Sequence, residues 1–595
     1  MDRNSTIGLV LISALLFTYF AFFAPDPKQI EQEKAVEAAK VEAMKPVETA
    51  PVVLPDSVLA QTMGSLAALT SGTAKEYVLE NKDLKVVLST KGGKVATVLA
   101  KEYQTYGKEA VYLIDDQATQ ISLELPLAKG KADLYSFYFN SVKEEKIGDT
   151  SKITLTAELA PNQYIQQVYT LAKEGFKVGY SINFQGISEL NASQMATFTW
   201  KQKLRNFEKD AEQNRLTCNV NYYTSAGDFD KLSETSKDAQ TKIIEGQVKW
   251  VALKQKFFNT AIITNGSFKN VEVASSVDPN DLVFVKYVST KMELPATNAS
   301  FDYYFGPNQY QICKSVTEGF EENVYLGWPV LNNLNRFVTV PIFNFLERFL
   351  SNYGLIIFFL VLIIKLAMFP LSYKSYLSMA KIRVLKPELD EIKARHGDDM
   401  QKAQADQMKL YQSVGVNPIS GCVPVLLTMP VLLAIFNFFP NSIELRQQAF
   451  LWADDLSTYD VIASLPFTVP FYGDHVSLFT ILMTISTLVY TWYNNQMSAA
   501  SMQGPMIAMS YVMPVIFMFV LNSLPAGLSY YYFISNVITI GQQLLIKSFV
   551  DEDKIRLQLD NNKVKLAAEP AKQNRFMKRL EDAMRQQEEL KKKKK

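Results

Sequence analysis

Lys365 is the residue whose type and surroundings point most directly to chemistry. It stands in Leu355-Ile-Ile-Phe-Phe-Leu-Val-Leu-Ile-Ile-Lys-Leu-Ala-Met-Phe369, and the next charge along the chain is Lys374. An ammonium inside an apolar helix is costly and ordinarily faces protein or a water-filled cavity. At ~1.5 Å per residue it lies ~12–13 Å inside the end marked by Lys374, deep for a lysine stem reaching to the headgroups. A hydrated functional cavity is the expectation; snorkelling helped by bilayer thinning is the alternative. Other apolar runs supply uncharged partners: Thr428, Asn437, Thr484, Thr487, Asn522, Ser529, Ser535, Asn536, Thr539 and Gln542. Some of these serve only to join helices. No carboxylate stands inside an apolar run, so an ion or proton relay is poorly supplied. A lone cation in a wet groove suits transient binding of an acidic or polar peptide.

Other chemistries find little support. The two histidines, His396 and His475, fall on opposite sides of the membrane by the topology below, so they cannot share a triad or a metal site. Lys91-Gly92-Gly93-Lys94 lacks phosphate-loop spacing and reads as a hairpin turn, and no H-E-x-x-H occurs. Cys218, Cys313 and Cys422 are too few and too far apart for a disulfide framework or a C-x-x-C site. Cys422 reads as a small hydrophobe, and a Cys218–Cys313 bridge is the less favoured alternative to free thiols. No catalysis, cofactor or metal is expected.

The elements that must hold Lys365 divide the chain in two. Its 61 basic and 60 acidic residues nearly cancel over 595 positions, but the balance hides a charged, turn-rich first half and an apolar second half. Residues 1–24 read as a transmembrane signal anchor around Ile7–Phe23, with a cleaved signal peptide as the alternative. Residues 25–75, rich in Ala, Glu, Lys, Val and Pro, read as a flexible tether. Across 76–325 the period is two, with strands expected at Lys85–Thr90, Val95–Ala100, Ile121–Leu125, Ile153–Glu158, Tyr164–Leu171, Lys177–Phe184 and Phe258–Thr264, a pattern that predicts an all-β sandwich. Residues 326–352 hold an amphipathic stretch, Phe337–Leu350, too short to span and expected to lie in the membrane interface. Five spans follow within 353–547, at about Tyr353–Tyr373, Pro418–Phe439, Val476–Tyr493, Met506–Leu521 and Gly527–Ile546. With the anchor they make a polytopic α-helical membrane protein of six transmembrane helices.

Basic residues set its orientation. Arg3 precedes the first span, and Lys374, Lys381, Arg383, Lys386, Lys393 and Arg395 follow the second. Asp454, Asp455, Asp460 and Asp474 follow the third against Arg446 alone, and the 548–595 tail ends in Lys591–Lys595. Both termini are therefore expected in the cytoplasm and the sandwich outside. Between spans two and three, 374–417 reads as a cytoplasmic helical hairpin, Ser375–Arg395 and Asp399–Val414. Its apolar stripe zips the helices together, and its methionines offer an adaptable surface. The tail reads equally as a topology signal or as a patch for anionic lipid or ribosomal RNA.

With spans and lysine in place, residues 328–547 resemble the YidC family of bacterial membrane protein insertases. The matching segments run in order: Met368-Phe-Pro-Leu371, Ser378-Met-Ala-Lys-Ile-Arg383, Gly397-Asp-Asp399, Val416-Asn-Pro418, Gly421-Cys-Val-Pro424, Met429-Pro430, Ser442-Ile-Glu-Leu-Arg446, Met513-Pro-Val-Ile516, Pro525-Ala-Gly527 and Tyr531-Tyr532 with Ser535-Asn536. Gly92-Gly93 and Trp250-Val-Ala252 are weaker markers of the family's Gram-negative periplasmic domain. The resemblance implies a five-helix core in the inner membrane with a hydrophilic groove open to cytoplasm and lipid. Its cation, usually Arg, falls on Lys365, which keeps the charge but loses the planar fork. Substrate contacts would fall on Thr428, Met429, Pro430, Tyr531 and Tyr532. The implied partners are nascent membrane proteins, the ribosome, membrane lipid and, for some members, the Sec translocon, with no small-molecule substrate and no ATP. The rivals are a solute transporter, which predicts a closed midplane site and repeat symmetry that the sequence does not show, and a membrane-anchored structural or sensor protein, which leaves Lys365 and the hairpin without a job.

Overall fold

The computed structural model of the chain describes residues 63–397, 400–416, 423–469, 472–497 and 505–568. The 1–24 anchor, most of the 25–75 tether, Cys422, the start of the third span and the tail beyond residue 568 lie outside the described residues. The described residues form two compact units, one running to Tyr325 with Asn441–Glu444, the other comprising Leu326–Pro440 and residues from Leu445 onward.

The first unit is antiparallel β. A four-stranded sheet joins Glu76–Glu80, Leu84–Ser89, Lys94–Gln104 and Ala110–Ile114 in that order. A larger sheet runs from Gly130–Asp133 through Thr119–Leu127, Met195–Arg205, Phe284–Pro295, Phe258–Ser276, Asn298–Pro307, Lys177–Gln185, Gln163–Ala172 and Thr150–Ala160 to Ser141–Ile147. The seven expected strand runs all lie in these strands, give or take a terminal residue. Met195–Arg205, with the inward row Ala196, Phe198, Trp200, Gln202 and Leu204, was not among the expected runs. Gln202 is satisfied in the core, donating to the Leu113 carbonyl at 2.8 Å and accepting from Thr260 Oγ1 at 2.9 Å, as burial of an amide requires. Around it the core is aromatic: Trp200 meets Tyr303 edge-on at 5.7 Å, and Tyr180 meets Phe301 at 4.7 Å, pairs worth ~0.5–1.5 kcal/mol each beyond their burial.

Gly92 and Gly93 turn the hairpin between Leu84–Ser89 and Lys94–Gln104 with φ of 85° and 59°, a left-handed region that glycine enters freely. The larger sheet reaches into this turn. Gln167 Nε2 donates to the Gly92 carbonyl at 2.8 Å, Tyr169 donates to the Gly93 carbonyl at 2.7 Å, and Tyr180 donates to Gln167 Oε1 at 2.9 Å. The glycine pair thus clasps the two sheets. Cys218 and Cys313 are both buried free thiols, with burial pushing the Cys218 thiol up to about 11 and the Cys313 thiol up to about 12.

The second unit is helical. Its longer helices are α1 (Val340–Glu347), α2 (Tyr353–Ala367), α3 (Phe369–Val384), α4 (Lys386–His396), α5 (Met400–Ser413), α6 (Val423–Asn441), α7 (Leu478–Met497), α8 (Pro505–Leu521), α9 (Ala526–Phe549) and α10 (Glu552–Ala568). Among the described residues no single helix is long and apolar enough to cross a membrane. Two bent pairs reach that length and apolar composition only when taken together, α2 with α3 at 59° and α9 with α10 at 70°. The continuous span expected over 353–373 is therefore broken at Met368, because Pro370 lacks an N–H and its ring crowds the carbonyl four residues back. The expected hairpin helix 375–395 is likewise split at Leu385, two residues before Pro387.

Two contacts fix helix direction. Gly527, where a side chain would meet the Leu456 carbonyl and Ile357 at 3.0 and 3.5 Å, lies beside the start of α2, while Lys365 near the end of α2 reaches Thr539. α2 and α9 therefore run parallel. Phe439, at the end of α6, meets Tyr531, near the start of α9, at 5.7 Å, so these two helix ends adjoin. At the far end of α9, Tyr376, Leu385, Leu389, Tyr411, Val414, Tyr493, Ile546, Ile555 and Leu559 form one buried cluster. It joins the α3–α5 hairpin to α10. Ion pairs Arg383–Glu552 and Arg556–Glu388 flank the cluster. Burial pulls the Glu388 carboxyl up, yet Arg556 holds it below the usual carboxylate range. This pair therefore stabilises at neutral pH and fades as pH falls through that range.

Two outcomes follow. A Cβ on Gly93 would stand 2.3 Å from Gln167 Nε2, so Gly93→Ala is expected to cost ~2 kcal/mol in thermal unfolding of the β unit. Gly107→Ala, whose Cβ meets nothing nearer than 3.7 Å, is expected to change it little. In the helical unit, Arg556→Ala is expected to raise amide exchange in α4 and α5 about two- to fivefold, matching ~0.5–1 kcal/mol for a half-exposed pair. Unchanged exchange would leave the apolar cluster as the sole clamp.

Candidate functional site

α9 carries the polar groups of the helical unit. Tyr532, Ser535, Asn536, Thr539, Gln542 and Gln543 recur at spacings of three and four and so share one side of an otherwise apolar helix. Each of the last five finds a partner. Thr539 Oγ1 donates to the Ser535 carbonyl at 2.6 Å and accepts from Lys365 Nζ at 2.8 Å. Gln542 Nε2 donates to the Lys365 carbonyl at 3.1 Å. On the other flank Asn536 Nδ2 donates to Ser486 Oγ at 3.1 Å and Thr487 Oγ1 at 2.9 Å, and Gln543 Nε2 to Asn494 Oδ1 at 3.2 Å. Asn495 Nδ2 extends the line to Ser510 Oγ on α8 at 3.1 Å. A polar seam therefore crosses the bundle from α2 through α9 and α7 to α8. Such bonds between helices contribute ~0.6 kcal/mol each in apolar surroundings.

Lys365 is half-buried, and among the described residues no carboxylate lies in ion-pair range of its ammonium. A lysine head has three N–H donors, so after Thr539 two remain for water or for a bound acidic or polar group. The lysine is thus anchored by a neutral oxygen, which fixes its direction without cancelling its charge.

Tyr531 and Tyr532 meet edge-on at 6.1 Å, ~10–12 Å from Thr539 along the helix axis. Tyr531 is buried against Phe439, while Tyr532 is half-buried. On α6, Met429 is 50% exposed, with Thr428 and Pro430 half-buried. Met429 precedes Phe439 by ~15 Å of helix. The structure thus joins Lys365 to α9 directly, and joins Tyr531 to α6 at its far end.

The start of α7 is closed by the loop after α6. Asp460 accepts from the backbone N–H of Leu478 at 2.8 Å and of Phe479 at 3.2 Å, and from Trp452 Nε1 at 2.8 Å. It thereby caps α7 from eighteen residues upstream, satisfying free donors at the positive end of the helix. Asn522 accepts from Ser477 N at 3.1 Å and donates to the Tyr472 and His475 carbonyls at 2.9 and 2.8 Å. His475 is stacked on Tyr459 at 3.9 Å, and His396 pairs with Asp406 at 2.8 Å between α4 and α5. Both histidines are structural here, and no cluster able to hold a metal occurs among the described residues. Sequence reasoning missed Asp460, whose capping role has no local signal at that distance. It also missed the Arg556–Glu388 pair. The three-and-four spacing on α9 was there to be read.

Residues 76–345 match the family profile described as YidC periplasmic domain, and residues 345–553 match that of the 60Kd inner membrane protein. Along nearly its whole length the chain is 44% identical to the membrane protein insertase YidC of Amoebophilus asiaticus, covering 98% of each. It is 46% identical to that of Cytophaga hutchinsonii, covering 99% of this chain and 98% of the relative. A crystal structure of an active YidC insertase with its first transmembrane domain resolved is 16% identical, covers 81% of this chain and 98% of its own, and aligns loosely at a TM-score of 0.32. With both halves matched and relatives similar over their full length, the chain belongs to the YidC family of bacterial inner-membrane insertases.

Proposed function

We propose that this chain moves hydrophobic segments of nascent membrane proteins from the cytoplasm into the lipid bilayer through a hydrated groove centred on Lys365. The observation that carries the proposal is the ammonium of Lys365, held 2.8 Å from Thr539 Oγ1 and facing no carboxylate partner among the described residues. The charge is positioned and left unneutralised, as transient binding of a polar or acidic flank requires.

In this reading the chain has six spans, at 1–24 and within the 353–547 core, with both termini in the cytoplasm. The tether 25–75 carries the 76–325 sandwich in the periplasm, and the 326–352 segment rests in the interface. A client meets the hairpin at 374–417 first. Its short polar flank enters near Lys365, while its apolar segment passes Thr428, Met429 and Pro430 on α6 and Tyr531 and Tyr532 on α9 before reaching lipid. The ribosome docks at the hairpin and the basic tail 548–595, and the Sec translocon is a partner for some clients. No nucleotide is needed: ~20 apolar residues gaining a few tenths of a kcal/mol each offset the transfer of a short polar flank. Groove water and the lysine lower the barrier for that flank.

Photocrosslinkers at positions 365, 429 and 532 are expected to capture a stalled single-span nascent chain. In depleted cells Lys365→Ala is expected to slow insertion about tenfold, equivalent to ~1.4 kcal/mol, whereas Lys365→Arg restores it. Crosslinks together with a harmless Lys365→Ala would demote the lysine to hydration. Normal insertion with no crosslinks would overturn the groove.

A further inference from the structure

The loop between α6 and α7 ends in an antiparallel hairpin, Ala463–Val469 against Gly473–Val476. No charged residue stands between Asp460 and Asp474. Ile462 is 52% and Phe467 63% exposed, and only Leu465 and Val469 of the first strand reach half-burial. A lone two-stranded hairpin is marginal in water, and an apolar free edge invites aggregation. The surroundings of this hairpin indicate what covers it.

Both its tip and its base are pinned to the end of α8. Tyr472 packs edge-on against Phe519 at 5.4 Å, and its carbonyl accepts Asn522 Nδ2 at 2.9 Å. At the base, His475 Nε2 meets the Asn522 carbonyl at 3.1 Å. The hairpin therefore lies across the helix end instead of projecting away from it. Phe519 belongs to an exposed apolar surface of α8 that includes Val512, Ile516 and Val520. In a bundle that spans a membrane this surface faces lipid, and Tyr472 carries it on to the hairpin without an intervening charge.

We propose that strand 463–469, with Val461 and Ile462 leading into it, lies in the headgroup zone of the outer leaflet, its apolar side chains taking a lipid surface as their partner. The inference rests on reading the helical unit as membrane-spanning. Aromatic and apolar side chains flanked by polar groups favour this zone. Anchored there, the hairpin would hold the ends of α7 and α8 at one depth, opposite the cytoplasmic clamp made by α10.

The test labels Phe467→Cys with an environment-sensitive fluorophore in the full chain, reconstituted in phosphatidylethanolamine–phosphatidylglycerol vesicles, with unsubstituted protein as the blank. Ile516→Cys on α8 reports whether the bundle is in the membrane. Ile243→Cys, 71% exposed in the β unit, reports the aqueous limit. The proposal predicts that position 467 is quenched more by a lipid nitroxide near the headgroup than by one near the chain end, and resists aqueous iodide relative to position 243. Quenching at 516 with free iodide access at 467 would overturn the hairpin proposal and leave the spanning bundle standing. No lipid quenching at either position would overturn both. Shielding at 467 that depends on the protein-to-lipid ratio would assign the strand to a second copy of the chain and overturn the lipid assignment.

Discussion

A charged group set in apolar surroundings must find polar partners, and in the helical unit those of Lys365 come from α9. Lys365 is steadied by Thr539, a neutral oxygen, while Gln542 satisfies the lysine carbonyl from the next turn of α9. This requires α9 to lie close and parallel to α2, which the close approach at Gly527 permits. It also commits one side of α9 to polar residues. Those not used by Lys365 find partners on α7, so the same stripe that positions the cation ties the bundle together.

The two ends of the helical bundle are built differently. On the loop side, Asp460, Asn522 and Ser477 close the starts and ends of α7 and α8 with hydrogen bonds. On the hairpin side, proline breaks at Pro370 and Pro387 turn the chain twice, and α10 folds back to bury the hairpin's apolar stripe. One end is tightly bonded. The other is held by an apolar cluster and half-exposed ion pairs.

Much of this was legible in the sequence where the signal is local. Lys365 and its lack of an acidic partner could be read from one apolar run, and seven strands could be read from their period-two alternation. In Met195–Arg205, which was not expected, the buried Gln202 is satisfied only by Leu113 and Thr260, remote in sequence, a pairing that no local pattern announces. Helix breaks at Met368 and Leu385 were missed although Pro370 and Pro387 announce them, since hydropathy runs straight through a kink. The Lys365–Thr539 bond joins residues 174 apart. Sequence named both residues as polar members of the spans, but spacing cannot pair side chains on separate helices. The Cys218–Cys313 question was open for the same reason; the fold leaves both as buried free thiols.

The central claim is that an unneutralised, positioned charge at Lys365 lowers the barrier for a client's polar flank. Its most direct test is insertion by the purified chain in nucleotide-free liposomes, read as protease protection of a single-span client bearing either an acidic or a neutral flank. The account predicts insertion of both clients, with Lys365→Met slowing the acidic-flank client far more than the neutral one. Equal insertion of the two clients by the Lys365→Met protein at the unsubstituted rate, or a strict need for ATP, would contradict it.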